Sequence, residues 1–223
     1  MKRITLFAVA SICTLQLSAQ TAKWDSTFRP GSYMMKVEQF RAFPNHSSDI
    51  IFLGNSITDY TDWSELLGIK EARNRGISGD ITFGVLERLD EVTEGKPAKV
   101  FILIGTNDIA RNIPDNVILQ NYRTIIQRIK KESPNTKIYF NTVLPVNNTF
   151  PDKNHFNKDE HIQAVNEGLK KIGAEEGITV IDIHPHFLDA EKRLDKKYTY
   201  DGLHLDMDGY QKWASLLKPY LKQ

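Results

Sequence analysis

Lys99-Val100-Phe101-Ile102-Leu103-Ile104-Gly105-Thr106-Asn107-Asp108 is the stretch on which the fold turns. After Lys99 the residues are apolar without interruption up to a glycine, and then the chain turns polar. A strand with one solvated face alternates apolar and polar residues. A short unbroken apolar run instead fits a strand covered on both faces, as in a parallel sheet. Asp49-Ile50-Ile51-Phe52-Leu53, which stops at Gly54, has the same form. So do Lys137-Ile138-Tyr139-Phe140-Asn141 and Ile178-Thr179-Val180-Ile181, and Ala72 to Arg75 is a shorter candidate.

Helical patterns separate these runs. Val117 to Lys131 places Val117, Asn121, Ile125 and Ile129 near one face, with Ile118, Tyr122 and Ile126 beside them. Asp159 to Glu176 and Met207 to Leu221 read similarly, and Gly177 suits a C-cap. Pro30 to Phe43 reads as an N-terminal helix packed outside the sheet. The alternation predicts an α/β sandwich with helices on both faces. Leu144 to Lys158, with two prolines, several asparagines and two phenylalanines, breaks the pattern. It is expected to be a long loop of the kind that binds substrate or covers it.

At 223 residues, 40% hydrophobic and 26% charged, the chain has the size and composition of one globular domain. Its first residues are different. Basic Lys2 and Arg3 precede a mostly apolar run from Ile4 to Leu17, and small residues follow at Ser18 and Ala19. This is the pattern of a secretory signal peptide over residues 1–20, cut near Ala19 or Gln20. The run falls short of the ~20 apolar residues that span a bilayer, so no stable membrane insertion is expected. The expected location is periplasmic or extracellular. Removing the segment leaves 27 basic against 28 acidic residues, which gives no basic surface for nucleic acid. Cys13, the sole cysteine, lies in the same segment. The mature chain is therefore expected to have no disulfide, thiol nucleophile or Cys-ligated metal.

Ligands of open α/β sheets bind at the carboxyl ends of the strands, and polar blocks collect there. Gly54-Asn55-Ser56-Ile57-Thr58 ends the first strand. Asn74-Arg75-Gly76-Ile77-Ser78-Gly79-Asp80 follows the short one, Gly105-Thr106-Asn107-Asp108 the next, and Asp201-Gly202-Leu203-His204 precedes the last helix. Singly, each has a plain reading as a helix cap or a polar turn. Together they supply what acyl transfer requires. Ser56 is an alcohol, and His204 is a base able to take its proton near neutral pH. Asp201 either orients and stabilises the imidazolium or helps hold the helix start. The N–H groups of Ser56 and Gly79 and the amide of Asn107 are candidate oxyanion donors.

These four ordered blocks resemble those of the SGNH (GDSL-type) hydrolases across roughly residues 49 to 220. The resemblance implies a single hydrolase domain over residues 21–223, a flavodoxin-like three-layer sandwich around a five-stranded parallel sheet. It also implies ester hydrolysis without a cofactor. By position it makes Ser56 the nucleophile, Asp201 and His204 the rest of a triad, and Gly79 and Asn107 oxyanion donors alongside Ser56. Asn74 to Thr82, and the spacing around Trp63 and Leu66, are particularly similar to acetylhydrolases of the platelet-activating-factor type. One position departs: the family's first block reads Gly-Asp-Ser, and Asn55 stands where that Asp would be. Asn keeps an acceptor oxygen but loses a charge.

The expected activity is therefore an exported esterase that removes small acyl groups, acetyl foremost, from carbohydrate. A lysophospholipase or short-chain lipid acylhydrolase would use the same triad. A carbohydrate-binding protein without catalysis is the alternative from another class. Asp182, His184, His186 and Asp189 invite a metal reading, but no spaced ligand set joins them, and surface or packing roles suit them better. His155 and His161 lie in or near the long loop and are secondary candidates for substrate contact, as are Trp63, Phe83 and Phe150 for lining a pocket. Asp59 and Asp80 suit turn or capping roles better than that of triad acid.

Overall fold

A computed structural model describes residues 23–222. The apolar runs and the shorter candidate become strands β1 (Ile50–Gly54), β2 (Ala72–Gly76, the shorter candidate), β3 (Lys99–Leu103), β4 (Lys137–Asn141) and β5 (Thr179–Ile181). They form one parallel sheet in the order β2-β1-β3-β4-β5. The helices in chain order are α1 (Tyr33–Ala42), α2 (Ser56–Asp59), α3 (Trp63–Leu67), α4 (Thr82–Glu87), α5 (Asp90–Thr93), α6 (Thr106–Ala110), α7 (Asp115–Glu132), α8 (Asp159–Glu176) and α9 (Met207–Leu221).

Successive strand residues point to opposite faces, so each apolar run feeds two cores. Ile51, Leu53, Val100, Ile102 and Phe140 face one side, with Ile125 and Ile126 of α7 and Val165 and Leu169 of α8. Ile50, Phe52, Phe101, Leu103 and Tyr139 face the other, with Trp63 of α3 and Trp213 and Leu217 of α9. There Phe52 stacks on Trp63 with ring centroids 4.0 Å apart and Phe101 on Tyr139 at 4.6 Å. This accounts for the unbroken apolar runs of β1 and β3.

Element boundaries move slightly from expectation, each for a local reason. α1 starts at Tyr33 rather than near Pro30, because Pro30 O accepts the Tyr33 N–H in a turn ahead of the helix. α7 starts at Asp115, ahead of the apolar pattern, because Pro114 O takes the N–H groups of Val117 and Ile118. The stretch from 144 to 158 carries no helix or strand, as expected, yet it is firmly held. Asn147 is fully buried, its N–H donates to Gly202 O at 2.8 Å, and its Nδ2 donates to Leu194 O at 2.7 Å.

The export segment expected at residues 1–20 lies outside the described residues. Among those described, no helix is long and apolar enough to cross a membrane. The chain passes from β1 to β2 on one side and returns to β3 on the other. The reversal opens a crevice between β1 and β3 at their carboxyl ends, where ligands of such sheets bind.

Candidate active site

β1 delivers Ser56 to that crevice. Gly54 packs so tightly that an added Cβ would meet Leu103 O and Thr58 Oγ1 at 2.3 Å, so only glycine fits. The chain then turns at Asn55, whose Oδ1 accepts the Ile57 N–H at 3.0 Å and caps α2. Asn55 thus fills an acceptor role that an Asp would fill equally. Ser56 is the first residue of the helix and is 5% exposed.

The turn ahead of α9 supplies its partners. Ser56 Oγ lies 3.0 Å from His204 Nε2, and His204 Nδ1 lies 2.8 Å from Asp201 Oδ2. An ionised carboxylate only accepts, so Nδ1 carries the proton and Nε2 is free to accept from the Ser56 hydroxyl. Asp201 Oδ1 accepts the N–H groups of Leu203 and His204 at 2.9 and 2.8 Å. Burial pushes the Asp201 carboxyl upward. Hydrogen bonds from the His204 ring and these two N–H groups outweigh it and hold the pKa at about 2. Of the two roles left open for Asp201, the geometry selects imidazole orientation. The start of α9 is capped by Asp206 instead, which accepts the Gly209 N–H at 2.9 Å.

The remaining blocks flank this series. Ser56 follows the middle strand of β2-β1-β3, with Gly79 and Asn107 after the strands on either side. Gly79 has a φ of 82°, and it lines a cavity of about 440 Å3 together with Asn107, His155, Arg111 and Trp24. Among the described residues, the N–H groups of Ser56 and Gly79 have no hydrogen-bond partner. The Asn107 amide donates one N–H to Asp80 O at 2.9 Å.

Buried charges brace these turns. Arg88 donates to Asp80 Oδ2 and Glu91 Oε1, each at 3.0 Å, to Gly54 O at 3.2 Å and to Arg75 O at 3.0 Å. Arg75 holds the other Glu91 oxygen at 3.0 Å. One guanidinium therefore ties the Ser56 turn to the Gly79 turn. Asp108 is fully buried and accepts both the N–H and the hydroxyl of Thr82, and burial lifts its pKa to about 7. Asp80 caps the turn through the Ile81 N–H, while Asp59 pairs with Lys36 at 2.8 Å. Neither Asp contacts His204.

Sequence reading did not single out Arg88 or Glu91. The stretch from Ile81 to Val92 carries four charged residues, Glu87, Arg88, Asp90 and Glu91, and no local pattern separates the buried Arg88 and Glu91 from the exposed Glu87 and Asp90. Tyr60 and Tyr200 were missed as well. Their rings lie 5.1 and 6.1 Å from the His204 ring and are 50% and 59% exposed.

Of the secondary candidates, His155 reaches the site, with Nε2 2.9 Å from Asn107 Oδ1. His161 instead pairs with Asp115. Trp63 is a core residue, Phe150 packs against Gly202, and Phe83 stacks on Trp24 at 6.0 Å. Asp182 pairs with Lys170, and His184 Nδ1 donates to Val143 O at 2.8 Å. Among the described residues, no group of three His, Cys, Asp or Glu side chains is placed to hold a metal.

Fold and site together define the class of carboxylic ester hydrolases built on a flavodoxin-like α/β/α sandwich. Residues 52–212 match the GDSL-like Lipase/Acylhydrolase family, and the chain belongs to that family. It is 27% identical over 181 residues to the platelet-activating factor acetylhydrolase IB subunit alpha2 of Rattus norvegicus, covering 78% of this chain and 76% of the relative. It is 31% identical over 166 residues to an N-acylneuraminate cytidylyltransferase of Escherichia coli O18:K1:H7 (strain RS218 / NMEC). That match takes in 73% of this chain but spans only 38% of the relative's length. A solved structure described as a platelet activating factor from Streptococcus pneumonia superposes with a TM-score of 0.79 at 32% identity, covering 85% of this chain and 92% of that one.

Proposed function

We propose that the protein is an exported serine esterase that removes small acyl groups, acetyl foremost, from hydroxylated carbohydrate. The observation that carries the reading is the hydrogen-bonded series Ser56–His204–Asp201 at the sheet's crevice. In the first half-reaction, Ser56 Oγ attacks the ester carbonyl while His204 Nε2 takes its proton. The carbonyl oxygen becomes an oxyanion facing the N–H groups of Ser56 and Gly79 and the amide of Asn107. As the tetrahedral intermediate collapses, the alcohol leaves with the proton held by His204, and the acyl group stays on Ser56. Water then gives a proton to His204 and attacks the acyl-enzyme, and the acid departs as Ser56 regains its proton.

The name of the acetylhydrolase relative supports a small acyl group. Two features support a sugar alcohol. The cavity beside Asn107 is bordered by Lys23, Asp25, Arg111 and Asn154, a poor lining for a lipid chain. The leaving alcohol must stand beside His204, where the open rings of Tyr60 and Tyr200 offer flat surfaces to a sugar ring.

The test is acetate release from a panel of acetylated glycans, wild type against Ser56→Ala, with p-nitrophenyl acetate and butyrate in parallel. Wild type is expected to release acetate and to prefer the acetyl ester, and Ser56→Ala to do neither. Much faster cleavage of butyrate points instead to a lipid acylhydrolase. Folded protein that a fluorophosphonate probe leaves unlabelled at Ser56 rules out the esterase. Export is checked by fractionating cells that express the full chain.

A further inference from the structure

We propose, on the esterase reading above, that His155 is a positioning residue for the oxyanion amide of Asn107 and that its second ring nitrogen accepts a hydroxyl of the substrate's alcohol portion. The hydrogen bonds leave one assignment. Asp80 O can only accept, so the amide group that meets it at 2.9 Å is Asn107 Nδ2. Asn107 Oδ1 therefore faces His155, and an amide oxygen can only accept. His155 Nε2 must then carry a hydrogen. Held at both ends, the amide plane is fixed, and its second N–H is left for the crevice.

Burial, reinforced by His204, Lys153, Lys158 and Arg111, pushes the His155 imidazolium down to about 4. The ring is thus neutral near pH 7. With the proton on Nε2, its Nδ1 is a bare acceptor. Among the described residues Nδ1 has no hydrogen-bond partner, and His155 is only half-buried on the wall of the cavity of about 440 Å3. The group that satisfies such an atom is a neutral donor, and a sugar hydroxyl is the donor that the proposed substrate brings. A hydroxyl bound there donates to Nδ1, Nε2–H donates to Asn107, and Asn107 donates to the oxyanion. Consecutive bonds of this kind polarise one another. Recognition of the alcohol is thereby coupled to stabilisation of the transition state.

The experiment compares wild type, His155→Ala, His155→Gln, Asn107→Ala and the double variant His155→Ala/Asn107→Ala. The substrates are p-nitrophenyl acetate, whose leaving group has no hydroxyl donor once the ester forms, and a monoacetylated xylobiose. His155→Ala is expected to lower kcat on p-nitrophenyl acetate about tenfold with little change in KM, since misplacing one oxyanion donor mainly weakens the transition state. His155→Gln, whose side-chain amide can donate to Asn107, recovers most of that loss. In the Asn107→Ala background, removing His155 should cost less than about twofold, because the group it positions is gone. On monoacetylated xylobiose, His155→Ala additionally raises KM.

An equal loss from His155→Ala with or without Asn107 overturns the positioning role, and so does an unchanged kcat. Equal KM ratios on the two substrates overturn the hydroxyl contact. If His155→Ala melts below the assay temperature, His155→Gln decides: wild-type kcat supports the donor role, and a tenfold loss opposes it. Wild type that cleaves neither ester defeats the esterase reading itself, which separates that failure from failure of the His155 assignment.

Discussion

Asp201 holds His204 twice, with Oδ2 2.8 Å from the ring Nδ1 and Oδ1 2.8 Å from the backbone N–H of the same residue. One carboxylate therefore sets both the tautomer of the ring and the backbone from which the ring projects. Asp201→Asn separates the two roles. The amide oxygen can still accept the backbone N–H, but an N–H then faces Nδ1 and drives the ring to the tautomer with its proton on Nε2. That nitrogen no longer accepts from Ser56. Ester hydrolysis is expected to fall by about 10²- to 10⁴-fold in kcat, with the melting temperature little changed. A loss of activity matched by loss of folded protein would show that the backbone bond dominates.

Asn55 contributes its side-chain oxygen to the Ile57 N–H, and this is the one hydrogen bond of that side chain among the described residues. Asn55→Asp presents the same oxygen, and its charge favours a helix N-terminus. Hydrolysis of p-nitrophenyl acetate should stay within about threefold of wild type in this variant, since the acceptor role is conserved. Asn55→Ala removes the cap and should cost about 1 kcal/mol in urea unfolding.

Arg88 serves four acceptors with one buried guanidinium. Replacement by leucine leaves buried Asp80 without its cation and one Glu91 oxygen without a donor, Arg75 still holding the other, and the expected destabilisation is about 3–5 kcal/mol in a urea titration. Lysine should rescue little, because a single ammonium cannot reach two carboxylates and two carbonyls in the geometry of the fork. Full recovery by lysine would show that charge alone matters at this position.

Asp108 gives a pH dependence whose sign can be worked out. Its carboxyl titrates at about 7 in the folded chain against an ordinary value of 3.8. Between these values the folded state binds the extra proton, so this group makes stability fall as pH rises from about 4 to about 7. Asp108→Asn removes the titration. The urea midpoint of wild type minus that of the variant should therefore decline across this window and level off above it. A flat difference would place the carboxyl's folded value near its ordinary one.

The fold was legible because its strands are buried on both faces. Runs such as Val100 to Ile104 state this directly, and Gly54 and Gly105 mark where the two central runs stop. The triad candidates were legible because they sit in short polar blocks, Ser56 just after the first strand and Asp201 and His204 together ahead of the last helix. Arg88 was not, since its importance lies in four partners far apart along the chain, Gly54, Arg75, Asp80 and Glu91, and an arginine in a charged turn between two short helices resembles a surface residue. His155 was legible only as loop membership, because its contact with Asn107 spans 48 positions and depends on how the loop is anchored. Tyr60 and Tyr200 carry no local pattern. Only folding brings both beside one imidazole.

The anchoring of residues 144–158 has a consequence for how such a protein can diversify. Asn147 is bonded to Gly202, which lies between Asp201 and His204, so the rim of the cleft and the acid–base turn are one mechanical piece. An added Cβ at Gly202 would meet Asn147 O at 2.5 Å. Insertions near the loop's tip, around Asp152, can therefore reshape what the cleft admits while the anchor keeps the chemistry in register. Changes at Asn147 or Gly202 alter both at once. Variation in substrate among descendants of this chain is thus channelled into the tip, with the anchor inherited unchanged.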